Sequence, residues 1–189
     1  MRILVWCKIL FFVFIGSINS QIDYTMYVDP FIGTDGHGHT YPGASYPFGM
    51  MQLSPDTGLK GWDWASGYHS SDSSIIGFSH THLSGTGVAE YGDILFMPFI
   101  GENKYFPGSK ENPNEWYRSR FNKLEEKAAP GYYSVYLTDY EINVELTTAE
   151  RSGVHKYLFP NVKSPKILID LFHGLQDATL ESFINIIDK

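Results

Sequence analysis

The chain has 189 residues, a formal net charge of −7, and thirteen tyrosines, thirteen phenylalanines and four tryptophans. It is acidic and has no basic run, which makes it a poor partner for nucleic acid. Rings in such number build β-rich cores and, where exposed, stack on sugars.

Taken in order, residues 1–20 come first. Arg2 and Lys8 precede the apolar run Ile9–Ile15, and the segment ends in "GSINS". This is the layout of a secretory signal peptide cleaved after Ser20. A membrane anchor is the alternative, though the run is short against the roughly 20 apolar residues a span needs. No later segment is long and apolar enough to cross a membrane. The one cysteine, Cys7, lies in this leader, so the mature chain is expected to have neither thiol chemistry nor a disulfide. Export without disulfides suits a bacterial periplasm or surface.

Residues 21–189 are expected to form one domain. Residues 23–75 are dense in Gly, Pro, Ser and Asp, with turn signals every few positions and a short strand at Met50–Leu53. "YGDILFMPFIG" reads as a strand, "ENKYFPGSKENPNEWYRSR" as a loop, and "FNKLEEKAAPG" as a short helical turn. Further on, Val135 and Leu137 alternate with polar neighbours, as do Ile142, Val144 and Leu146, and "TDYE" between them is a hairpin turn. Strands follow at Val154–Phe159 and in "KILIDLFHG". Successive strands without long helices between them predict an all-β, antiparallel β-sandwich. The abrupt ending "LESFINIIDK" reads as a sandwich that is incomplete at its C-terminus.

Several motifs bear on chemistry. "HGH" (His37, His39) and "HTH" (His80, His82) suggest a metal, because residues i and i+2 of a strand face the same way. There is no HExxH, and histidines that bond neighbouring loops are the alternative. Trp62 and Trp64 flank Asp63 in "KGWDWASGYHSSD", which suits either a sugar or a sandwich core. "SGTG" lacks the lysine and spacing of a P-loop, and no GxSxG elbow is present. Asp29, Asp35, Asp56, Asp63, Asp72, Glu90 and Asp93 are scattered, with no spacing that selects a glycosidase pair.

"VDPFIGTDGHGHTYPGASYPFGMMQLSPDT", "GWDWASGYHSSD", "IIGFSHTHLSGTG", "YGDILFMP", "EKAAPGYYSVYL" and "INVELTTAERSGVHKYLF" occur in that order. Together they resemble the N-terminal domain of glycoside hydrolase family 92, over residues 27–175. The resemblance implies a secreted or periplasmic, calcium-dependent exo-α-mannosidase that hydrolyses α-mannosides of N-glycans or mannans with inversion. In the family a β-sandwich packs on a C-terminal (α/α)6 domain that carries the catalytic acid, the base and most calcium contacts. This chain is therefore expected to lack that partner domain, to hold no catalytic residue or metal ligand, to bind no calcium alone, and to contribute one wall of the sugar site. The matching motifs imply that Trp62, Asp63, Tyr68, His69, His80 and His82 line that wall. Trp64 and Ala65 stand where the family motif has a small pair, which implies a different subsite shape. A stand-alone carbohydrate-binding module and a non-functional gene fragment are the alternatives.

Overall fold

A computed structural model describes residues 22–85, 87–162, 164–176 and 179–187. The signal-peptide reading falls on residues outside that set. The fold is clearest where the sequence alternates most cleanly. Tyr132–Leu137 (β8) and Ile142–Thr148 (β9) pair antiparallel, from Tyr132 opposite Thr147 to Leu137 opposite Ile142. Tyr133, Val135 and Leu137 bury from one strand, and Ile142, Val144 and Leu146 from the other. Each such side chain contributes about 1.5–3 kcal/mol by leaving water. The intervening "TDYE" turns with Glu141 at φ 56°. Tyr140 turns inward there, and its hydroxyl is placed to donate to the carbonyls of Trp116 and Tyr117.

Gly153–Leu158 (β10) and Lys127–Ala129 (β7) complete this sheet, in the order β10-β9-β8-β7. The facing sheet contains Ala44–Ser45 (β1), Gln52–Asp56 (β2), Gly77–Ser79 (β4), Leu95–Phe99 (β5) and Lys166–Asp170 (β11), in the order β1-β2-β4-β5-β11. All pairings are antiparallel. Leu53, Phe78, Leu95 and Met97 meet the inner faces of β8 and β9 in one core. The molecule is an antiparallel β-sandwich.

Two local readings shift. The strand expected at Met50–Leu53 starts and ends later, and so carries Asp56 into the interior. The segment read as a loop before Phe121 ends in Ser119–Arg120 (β6), which pairs with Ser74–Ile75 (β3). The side chain of Asp139, in the hairpin turn, holds Arg120 there, accepting from its backbone N–H and its guanidinium.

Candidate functional site

Three motifs distant in sequence meet on the surface. Gly61, at φ 105°, admits the chain to a 3-10 turn over Trp62–Trp64. Trp62 stands 60% exposed. His39 meets its ring edge-on, with centroids 4.6 Å apart and planes at 83°. Beside it, Nδ1 of His37 lies 2.5 Å from Oδ1 of Asp63. The "HGH" and "GWD" motifs therefore interlock residue by residue. The glycines of "SGTG" make this possible. Gly85 N–H donates to the His39 carbonyl at 2.6 Å. At Gly87 (φ +65°) a Cβ would come within 2.9 Å of Trp62 Cη2 and 3.1 Å of His39 Nδ1. His39 itself adopts φ 54°, a left-handed conformation uncommon outside glycine. Its Nε2 is buried with no hydrogen-bond partner among the described residues. Orphans of this kind are rare in folded proteins.

Trp64 points the other way. Its Nε1–H donates to Asp72 Oδ2 at 2.7 Å, and Lys110 Nζ sits 3.7 Å above its ring. Trp62 therefore faces solvent, while Trp64 is half-buried and tied to Asp72 rather than packed in the sandwich core.

A charged cluster lies inside the sandwich. Asp56, wholly buried, accepts from Ser79 Oγ (2.6 Å) and His173 Nε2 (2.7 Å) at Oδ2, and from His82 Nε2 (2.8 Å) at Oδ1. His82 Nδ1 lies 2.8 Å from the Gln52 carbonyl. Both nitrogens of that ring thus lie against oxygen atoms. Burial on its own would raise the Asp56 carboxyl, but the charges and hydrogen bonds of His82 and His173 outweigh it. They hold the carboxyl well below the usual carboxylate range. The segment after β11 is stitched to the same loops: Gln176 N–H donates to the Leu59 carbonyl and its side-chain amide to that of Gly61.

The remaining motif residues face inward. Tyr68 is fully buried, and its hydroxyl donates to Glu126 Oε2 at 2.9 Å while Lys123 donates to it. Burial and the Glu126 charge push its phenol well above the ordinary value. His69 Nε2–H donates to the Gly36 carbonyl at 3.2 Å, which pins the loop that carries His37. His80 turns toward the other sheet, where its Nε2 lies 3.2 Å from Nε2 of His155. "HTH" therefore does not present two rings to one ion. β4 ends at Ser79, so the strand rule does not govern residues 80–82, and the rings diverge to partners at Asp56 and His155.

Of the six residues read as a sugar-facing wall, the structure brings Trp62 and Asp63 together at the surface. It places Tyr68, His69 and His82 in the interior and His80 half-buried to one side. Sequence reasoning did not assign His37 and His39 to this wall, although their i, i+2 motif was visible. His155 and His173 carried no local signal. Calcium needs six to eight oxygen donors. Asp63 is engaged by His37, its other neighbours here are imidazoles and an indole, and no cluster of three or more His, Cys, Asp or Glu suits a metal among the described residues. This donor set does not fit calcium.

The fold is an antiparallel β-sandwich that carries an exposed tryptophan beside a carboxylate on its loops. Residues 27–189 match the glycosyl hydrolase family 92 N-terminal domain, and the chain belongs to that family. A family GH92 α-mannosidase of Bacteroides thetaiotaomicron, solved in complex with mannoimidazole, is 47% identical with a TM-score of 0.80, over 82% of this chain and 20% of that one. A family GH92 inverting mannosidase of the same organism is 31% identical with a TM-score of 0.61, over 76% of this chain and 19% of that one. An uncharacterized secreted glycosidase of Arthroderma benhamiae is 31% identical over 87% of this chain and 22% of its own length. The chain thus spans about a fifth of these relatives. No helix among the described residues is long and apolar enough to cross a membrane.

Proposed function

We propose that this chain supplies the sandwich-side wall of the sugar site of a secreted, inverting α-mannosidase, and that it is not hydrolytic by itself. The observation that carries the reading is the Trp62–Asp63 pair, braced by His37 and His39, with a buried His39 Nε2 left unpartnered beside it. Trp62 offers an apolar face to one side of a pyranose, and Asp63 offers an acceptor to its hydroxyls. Inverting hydrolysis needs two carboxyl groups about 6.5–9.5 Å apart with a water between them. Asp63 stands bonded to the His37 imidazole, and in this reading its role is to bind and orient. Acid, base and calcium belong in this reading to the rest of the enzyme, where a fixed wall holds the sugar against them and excludes solvent. Calorimetry of the full chain with methyl α-mannoside checks it. Weak binding in the millimolar range, lost in Trp62→Ala, with no mannose released from an α-mannoside, is expected. Sugar binding unaffected by Trp62→Ala, or mannose release by the purified chain, overturns it.

A further inference from the structure

His80 and His155 meet across the sandwich, apart from the Trp62–Asp63 pair on which the proposed sugar wall rests. Their Nε2 atoms are 3.2 Å apart while their ring centres are 4.9 Å apart, so the nitrogen edges face one another. Two imidazole nitrogens bound to one ion at about 2.0–2.1 Å stand about 2.8–3.4 Å apart for bond angles between 90° and tetrahedral. We propose that His80 and His155 form a two-histidine site for a borderline divalent cation of the copper, nickel or zinc class.

The surroundings suit that role. Metal-binding histidines use their second nitrogen to fix the ring. His80 Nδ1–H donates to the Ile94 carbonyl at 2.6 Å, and His155 Nδ1 lies 2.7 Å from the Tyr157 hydroxyl. Ile94 presents that carbonyl from φ 55°, a costly conformation for a β-branched residue. With His80 Nδ1 protonated, its Nε2 carries a lone pair. When His155 donates from Nδ1 to Tyr157, its Nε2 carries one as well, and a cation between them satisfies both. Phe96 packs against both rings at 4.8 and 5.3 Å and walls off one side. No third His, Cys, Asp or Glu joins them among the described residues, so solvent completes the coordination shell. Copper should bind more tightly than nickel or zinc, and calcium, which takes oxygen ligands, should not bind.

Calorimetry of the full chain with each cation at pH 7 tests this. One site is expected, in the order copper above nickel and zinc, with no calcium heat. His155→Gln should weaken binding at least about tenfold, and Tyr157→Phe, which leaves both imidazoles in place, should weaken it by a similar order. His37→Gln and Trp62→Ala should leave it unchanged, which separates this site from the sugar wall. Imidazole nitrogen NMR of the unmutated chain should show metal-induced shifts at His80 and His155. Shifts confined to other histidines, or no binding at millimolar metal, overturn the proposal.

Discussion

Asp56 shows what one residue can hold. Its carboxylate is shut away from solvent, yet both oxygens meet donors: Ser79 and His173 at Oδ2, and His82 at Oδ1. Removing one partner of such a buried pair leaves the other uncompensated, at a cost of about 3–5 kcal/mol. Asp56→Asn should therefore lower stability by that order at neutral pH, read from urea unfolding; a loss under about 1 kcal/mol would mean the pairing stabilises little. The pH dependence follows in sign. The folded carboxyl is depressed, so its contribution is complete above the unfolded-state value of about 3.9 and disappears as pH falls through the lower folded value. Wild type should lose stability below about pH 4, and Asp56→Asn should flatten that acid limb. None of this was legible locally. Asp56 sat among seven scattered carboxylates, and its partners lie 23, 26 and 117 positions away. Trp62 and Asp63 were legible as a motif, because aromatic and acid are adjacent in the chain. Which tryptophan faces outward was not, because the Trp64–Asp72 bond decides it.

Among the elements, the β8–β9 hairpin was legible in the sequence, since strict alternation admits only one register that buries Val135, Val144 and Leu146 together. The loops could not be read this way. Their conformation rests on contacts such as Gly87 against Trp62 and His39, which come from three separate segments. That contact yields a prediction at this scale. Gly87→Ala forces a left-handed alanine, at about 1–2 kcal/mol, and pushes a methyl into the tryptophan ring. Trp62 is exposed and free to swing outward, so folding should survive. Mannoside affinity should fall at least severalfold, with a changed Trp62 fluorescence spectrum. Unaltered affinity together with an unaltered spectrum would show that this glycine does not set the ring's position.

For the whole molecule, the sheet edges differ in a telling way. β1 is only two residues long, and β7 carries Lys127 and runs into Pro130, features that blunt an edge. β10 pairs only with β9 and β11 only with β5 among the described residues. Both present branched apolar side chains to solvent: Val154 (57% exposed) and Leu158 on β10, and Ile167 (51%) and Ile169 (44%) on β11. Unpaired edges of this kind template association with further strands. Copies of the chain can supply such strands. Sedimentation of the purified chain should therefore show concentration-dependent self-association. Ile167→Lys with Ile169→Lys should shift it to monomer while leaving the far-ultraviolet circular dichroism unchanged, since exposed substitutions typically cost within about 0.5 kcal/mol each. A wild-type chain that stays monomeric at several hundred micromolar would mean that these edges are protected by twist and charge alone. Association that persists in the double variant would move the contact to β10, where Val154→Lys is the corresponding change.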